Sequence, residues 1–208
     1  VVYPFEDCTG SLVIGNNVTR IPSYMFIESD FDGTLTIGSS VTSIGNSAFY
    51  QCSFTGPLVI PNSVITIGGF AFFECLHFSS LTLGDHVTTI YSCAFRYCAM
   101  AYTGFSGNLI IPNSVTTIGT AAFEECYNFA GGTLTIGTGV TSIGQWAFRR
   151  CGFSQVNYNA TSCADFDEGD IPFERYTGTI TIGSNVQRVP AHLTKGAIFS
   201  HVNFNATN

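Results

Sequence analysis

One spacing constrains this chain more than any other feature. The pattern L-x-I-(G/P)-x-x-V-x-x-I-G-x-x-A-F-x-x-C recurs at steps of 23, 23, 23, 28, 25 and 46 residues, with copies starting at Leu12, Leu35, Leu58, Leu81, Leu109, Leu134 and Ile180. Because the last step is twice 23, a degenerate copy lies between Leu134 and Ile180. A fixed period of roughly 20 to 50 residues indicates a repeat architecture in which every copy supplies one turn of a stack.

The chemistry of one copy predicts the structure of one turn. In L-x-I the outer residues point inward and the middle one outward, as in a β-strand, and the following Gly or Pro ends that strand. The A-F-x-x-C segment is too short for a long helix but suits one helical or 3₁₀ turn. One turn cannot bury its own apolar residues, so stacked turns must bury one another's. We therefore expect a single mainly β solenoid of about eight turns over residues 1–208, with a parallel sheet and right-handed connections.

These residues resemble the BspA-like leucine-rich repeats of bacterial and protozoan surface proteins. The strings LVIPNSVITIGGFAFFEC (58–75) and LIIPNSVTTIGTAAFEEC (109–126) match that repeat at nearly every position. The resemblance implies a curved coil with its parallel sheet on the concave side and short helical turns on the convex side. It also implies extracellular display, adhesion or host binding, and no catalytic residues.

Two features depart from the usual repeat. The position that normally carries a ladder of Asn is mostly Ser, as at Ser40, Ser63 and Ser114, so loop hydrogen bonds must be arranged differently. A longer period is also present, because Pro4-Phe5 recurs 168 residues later as Pro172-Phe173, and VNYNAT (156–161) recurs as VNFNAT (202–207). We interpret the chain as a fragment of a longer repeat protein in which residues 156–179 form a degenerate connector turn.

Composition excludes several classes of partner. Charged residues make up only 10% of the chain and its net charge is −7. A nucleic-acid or anionic-lipid surface calls for a basic face, so neither partner is expected. The longest apolar runs fall far short of the roughly 20 residues that span a bilayer, so we expect no membrane insertion by this segment.

Few residues are arranged for chemistry. Five of the eight cysteines share one position of the repeat, at Cys52, Cys75, Cys98, Cys126 and Cys151. Disulfides and metal binding are open readings, but a small buried apolar residue is the favoured one. The four histidines occupy unrelated positions, so no catalytic group and no cofactor are predicted. Alternating carboxylates at Asp165, Asp167 and Asp170 are a weak candidate for calcium, against a solvated acidic loop.

Two surfaces are candidate binding sites. The first is the row of outward strand residues on the concave face, Val13, Thr36, Val59, Thr82, Ile110, Thr135 and Thr181. The second is the longer loop of the fourth turn, with Tyr102 and Phe105, because insertions into a repeat often serve binding. Simple β-propensity explains the row equally well.

The sequence leads to two functional hypotheses. The first is a non-enzymatic recognition or adhesion module on the cell surface, binding a protein or glycan that could be host-derived. The second is a structural spacer or stalk with no ligand of its own. A binder should expose a contiguous aromatic or charged patch, whereas a spacer should be bland on every face.

Overall fold

The computed structural model of the chain describes residues 4–98 and 104–206. In that part of the chain, parallel strands repeat coil after coil, which confirms the predicted solenoid. Each regular coil has three sides: a long-strand side, a short-strand side and a turn side. The long-strand side contains β1 (Leu12–Ile14), β3 (Leu35–Ile37), β5 (Gly56–Val59), β7 (Phe78–Thr82), β9 (Leu109–Ile111), β11 (Thr133–Ile136), β13 (Gln155–Tyr158), β14 (Thr177–Ile182) and β15 (Ile198–Phe204). The short-strand side contains β2 (Arg20–Ile21), β4 (Ser43–Ile44), β6 (Thr66–Ile67), β8 (Thr89–Ile90), β10 (Thr117–Ile118) and β12 (Ser142–Ile143).

The degenerate copy also forms a coil with a paired strand. Strand β13 lies between β11 and β14, with Val156 paired to Leu134 on one side and to Ile180 on the other. Strand β15 continues the series, because Val202 pairs with Ile180. The long-strand side is nevertheless divided into three sheets, with breaks between β3 and β5 and between β7 and β9.

The core is organised around two stacks of phenylalanine rings. In the first stack neighbouring rings are nearly parallel, as for Phe72 and Phe95, whose centroids are 5.3 Å apart at 2°. The second stack meets the first edge-on, as where Phe95 and Phe105 are 6.1 Å apart at 62°. The first stack contains Phe26, Phe49, Phe72, Phe95, Phe123, Phe148 and Phe173. The second contains Phe31, Phe54, Phe78, Phe105, Phe129 and Phe153. Offset stacked and edge-on rings are both favourable aromatic geometries, so every coil is held to its neighbours by the same contacts.

The predicted helical turns are wrong for the residues that the structure describes. The A-F-x-x-C segments are hydrogen-bonded turns in which two residues four positions apart have positive φ, such as Phe70 at 56° and Glu74 at 54°. Alternate amides bond in different directions. The amide of Phe72 donates to the carbonyl of Ala94 in the next coil at 2.8 Å, whereas that of Phe73 donates within its own turn to Phe70 at 3.2 Å. In an α-helix each of these amides would donate to a carbonyl of its own segment, and the hydrogen bonds between coils would be lost.

Asn and Ser side chains form hydrogen bonds with backbone groups in the loops between the long-strand side and the short-strand side. The amide of Asp85 donates to Oδ1 of Asn62 at 3.0 Å, and that of Thr138 donates to Oδ1 of Asn113 at 2.9 Å. One position further on, the hydroxyl of Ser63 donates to the carbonyl of Val41 at 2.7 Å. Ser63 and Ser114, which stand where the usual repeat has Asn, therefore bind the preceding coil through their own hydroxyls.

The repeated cysteines are buried free thiols, as the favoured reading predicted. Each thiol donates to the carbonyl of a phenylalanine in the preceding coil, for example Cys75 to Phe49 at 2.9 Å and Cys98 to Phe72 at 2.7 Å. Burial raises the pKa of Cys52 to about 11 and raises those of Cys75, Cys98 and Cys151 well above their usual range. The folded chain therefore holds these thiols in the neutral form.

We predict that Phe95→Ala lowers the free energy of unfolding by about 4 kcal/mol, because it opens a cavity where the two ring stacks meet. Urea unfolding followed by circular dichroism measures this. The matched control is Thr82→Ala on the exposed side of β7, which should change stability by less than about 0.5 kcal/mol. Equal effects of the two substitutions would show that the ring stacks do not carry the stability.

We also predict a loss of stability at alkaline pH. The thiols ionise near pH 9.0 when unfolded, but the folded-state pKa of Cys52 is about 11. The contribution of the neutral thiol is thus fully present below pH 9 and falls as the pH rises towards 11. Urea midpoints at pH 8 and pH 10.5 test this, with Cys52→Ala as the comparison. If the variant loses as much stability as the native chain between the two pH values, ionisation of the Cys52 thiol is not the cause.

Candidate functional site

The outward residues of the long-strand side form the first candidate surface. Pairing sets Val13 beside Thr36, Val59 beside Thr82, and Ile110 beside Thr135. Two asparagines continue this outward row where the sequence is degenerate, since Asn157 lies between Thr135 and Thr181, and Asn203 follows Thr181. The row has exposed apolar residues but no charge, and sequence reasoning missed both asparagines. The recurring VNYNAT and VNFNAT strings are the signal that could have found them.

A shallow cavity interrupts this row between β3 and β5. It measures about 330 Å³ and is lined mainly by apolar groups, including Leu35, Pro57, Val59 and Pro61. Strands β3 and β5 are not paired, and the ladder contact just before them is an isolated bridge between Thr34 and Thr55. Pro57 has no amide hydrogen to give to a strand ladder, which accounts for a break at this place.

Of the two aromatic residues predicted in the inserted loop, the structure describes only Phe105. Tyr102 lies outside the described residues. Phe105 is fully buried and belongs to the second ring stack, between Phe78 and Phe129. Its ring therefore fills the core and is not available to a partner.

In the acidic connector, Asp165 forms an ion pair with Arg188. Both carboxylate oxygens of Asp165 accept from Nη1 of Arg188 at 2.7 Å, and one also accepts from the amide of Ala191. These hydrogen bonds lower the pKa of Asp165. Within residues 4–98 and 104–206, no three His, Cys, Asp or Glu side chains, Asp167 and Asp170 included, are grouped as a metal site would require. The structure therefore gives the predicted calcium site no support.

Three of the four histidines contact backbone or hydroxyl oxygens. Nδ1 of His86 lies 2.8 Å from the carbonyl of Asn62, and Nδ1 of His192 lies 3.0 Å from that of Phe166. His201 lies 3.4 Å from the hydroxyl of the adjacent Ser200 on the exposed surface. In the described part of the chain no histidine forms an ion pair with a carboxylate, so the orienting contact of a catalytic triad is not formed there.

A third candidate surface lies on the turn side and was not predicted. Phe73 is the centre of an aromatic group: Tyr50 stacks on it at 5.0 Å, while Phe70 and Tyr97 contact it at 5.5 Å. The guanidinium of Arg96 lies 4.5 Å above the ring of Tyr97. Phe70 is 41% exposed, whereas Tyr50, Arg96 and Tyr97 are half-buried. We call these five residues the turn-side patch.

An ion ladder extends the turn-side patch across later coils. Glu124 is fully buried and bridges Arg96 at 2.6 Å and Arg149 at 2.7 Å. Arg149 in turn reaches Glu174 at 3.1 Å and covers the ring of Trp146 at 5.1 Å. Alternating charges in successive coils fix both guanidinium groups in position, because each has a carboxylate on a neighbouring coil.

Three members of the turn-side patch, Tyr50, Phe73 and Arg96, share one column of the repeat with the charged residues of the ion ladder. The residue directly after the conserved Phe of each turn reads Tyr50, Phe73, Arg96, Glu124, Arg149 and Glu174 along the chain. This column changes from aromatic to charged residues midway, so no single residue type recurs in it and the repeat pattern does not reveal it. Only the stacking of the coils shows that its members are neighbours.

A search of the described ranges for an apolar helix of bilayer-spanning length finds none.

Solved structures of several bacterial proteins are similar to this chain. No curated protein matches the chain. Among solved structures, the pneumococcal vaccine antigen PcpA is 17% identical, with a TM-score of 0.47, over 100% of this chain and 70% of its own. A leucine-rich cell surface protein from Faecalibacterium prausnitzii is 21% identical, with a TM-score of 0.38, over 98% of this chain. A leucine-rich repeat protein from Bacteroides ovatus is 20% identical, with a TM-score of 0.33, over 79% of this chain. The chain spans only 61% and 64% of the lengths of the last two.

The family model described as the BspA type leucine-rich repeat region matches residues 2–101 and 101–208, in six copies. This match covers nearly the whole chain. The chain therefore belongs to the BspA type leucine-rich repeat family.

Proposed function

We propose that this chain is a non-enzymatic recognition module that binds a protein or glycan partner through its turn-side patch. The observation that carries the proposal is the contact between exposed and half-buried aromatic rings and Arg96 on one side of the solenoid. Tyr, Trp and Arg dominate the binding energy of measured interfaces, while Thr and Val contribute little. The turn-side patch is therefore favoured over the outward row, whose members are Thr, Val, Ile and Asn.

The ladder beneath the turn-side patch supports this role because it preorganises the cations. Arg96 is held between Glu124 and the ring of Tyr97, so little side-chain freedom remains to be lost on binding. The half-buried aromatics are likewise fixed by packing on Phe73. A rigid aromatic surface with an oriented guanidinium suits a planar or ring-shaped partner group, such as a sugar face or an aromatic side chain.

Cell-surface display is part of the proposal. It is supported by membership of the BspA type family, whose resemblance implies extracellular display. The aromatic surface favours a binder over a bland spacer, which is the property that separates the two hypotheses.

We predict that the double variant Phe70→Ala, Tyr97→Ala loses binding to a partner found by screening immobilised matrix proteins and glycans. Loss of two central anchors should weaken affinity by about thirtyfold or more, corresponding to about 2 kcal/mol. Biolayer interferometry with the 208-residue chain measures this, with thermal unfolding recorded for each variant.

A matched variant of the outward row serves as the control. Val13→Thr, Val59→Thr and Ile110→Thr remove exposed apolar groups while keeping β-branched residues in the strands. This variant should bind as the native chain does. If it alone loses binding, the site lies on the long-strand side, and if the native chain binds nothing in the screen, the spacer hypothesis is favoured.

A further inference from the structure

Negative charge is divided unevenly between the two halves of the chain. Residues 4–95 contain seven carboxylates and, apart from histidines, a single basic side chain, that of Arg20. None of these seven carboxylates forms an ion pair with another described residue. Residues 104–206 also contain seven carboxylates, but five of them pair with Arg or Lys. The first half of the solenoid therefore carries most of the uncompensated charge.

One column of the repeat brings part of this charge to the turn side. The residue two positions after the repeated Phe of each turn reads, along the chain, Asp7, Glu28, Gln51, Glu74, Tyr97, Glu125, Arg150 and Arg175. Stacking makes its first members neighbours. The amide of Glu28 donates to the carbonyl of Tyr50 in the next coil at 2.8 Å, and Nε2 of Gln51 donates to the carboxylate of Glu74. We call Asp7, Glu28 and Glu74 the acidic column.

The acidic column borders the aromatic rings of the turn-side patch. Burial, and then the negative charges of Glu74 and Glu28, raise the pKa of Tyr50, in keeping with a phenol that lies between the two carboxylates. Glu28 is exposed and Glu74 is half-buried. A cavity of about 220 Å³ opens beside them, lined among others by Gln51, Glu74 and His77. Carboxylates without a cation, aromatic rings and open space therefore occur together on this side of the solenoid.

These features together favour a cationic partner group. The face of an aromatic ring attracts cations, and a guanidinium can stack on a ring while its N–H groups bind a carboxylate. An anionic partner would be repelled by the acidic column. Arg96 does not reverse this preference, because its Nε lies 2.6 Å from the buried carboxylate of Glu124.

We propose that the acidic end of the turn-side patch binds an arginine-containing segment of a protein partner, an inference that rests on the recognition role proposed above. Guanidinium groups of the segment pair with Glu28 and Glu74, and one of its arginines packs against the ring of Tyr50 between them. The two carboxylates belong to coils two steps apart, a separation of roughly 10 Å along the stack at the usual strand spacing. Each carboxylate therefore takes its own guanidinium, and the partner presents at least two arginines.

Fluorescence anisotropy with a labelled decapeptide of alternating arginine and glycine tests this proposal. An extended peptide of that sequence has all its arginines on one face. The native 208-residue chain should bind it, and should not bind the same peptide with glutamate in place of arginine. The double variant Glu28→Gln, Glu74→Gln should bind about fivefold more weakly or worse, because two exposed ion pairs are lost while the side-chain shapes are kept.

The matched control is the double variant Asp167→Asn, Asp170→Asn, with thermal unfolding recorded for each protein. It removes the same amount of charge from two carboxylates of the other half that form no ion pair with a described residue, so it should bind the arginine peptide as the native chain does. Equal losses in the two double variants, or unchanged binding by the first, would overturn the proposal. If the chain captures a partner in the screen of matrix proteins and glycans but ignores the arginine peptide, this inference fails and the proposed function stands; if it binds neither, both fail.

Discussion

The interaction on which this structure depends is the contact of each coil's apolar side chains with the same side chains in the next coil. No coil has a core of its own, since Phe95 is buried by Phe72 and Phe123 and by the edge of Phe105. The backbone follows the same rule, because alternate turn-side amides donate to the neighbouring coil. Stability is therefore the sum of one repeated interface, and it is highest where a coil has neighbours on both sides.

Most of the fold could be predicted because the repeat columns are strict. The inward positions of L-x-I, the Val column and the cysteine column are buried as their spacing indicates, except in the first described coil, where Leu12 is half-buried and Val18 is exposed. The turn side was predicted wrongly because helix formation was judged from the A-F-x-x-C segment alone. Its amides have partners in the next coil, and residues such as Phe70 and Glu74 take positive φ to direct them there. Contacts between coils overrode local preference.

The candidate site could be predicted only in part. The outward row follows from strand alternation, so its seven residues were found, but Asn157 and Asn203 lie in copies whose sequence has drifted. The turn-side patch combines residues from several coils, and its column changes from Tyr50 and Phe73 to Arg96 and Glu124. A column of mixed chemistry shows no periodicity, although stacking makes its members neighbours. The error at Phe105 is the opposite one. Its position beside an insertion suggested a residue exposed to a partner, but its ring is buried in the core.

The near-identity of the buried columns has an evolutionary consequence. A coil of about 23 residues presents the same inward residues above and below, so duplicating or deleting one such stretch of the coding sequence joins two surfaces that already fit. Unequal recombination can then lengthen or shorten the molecule without any compensating substitution. The outward side chains are free of this constraint, so new surface chemistry can arise in a duplicated coil while the original is kept.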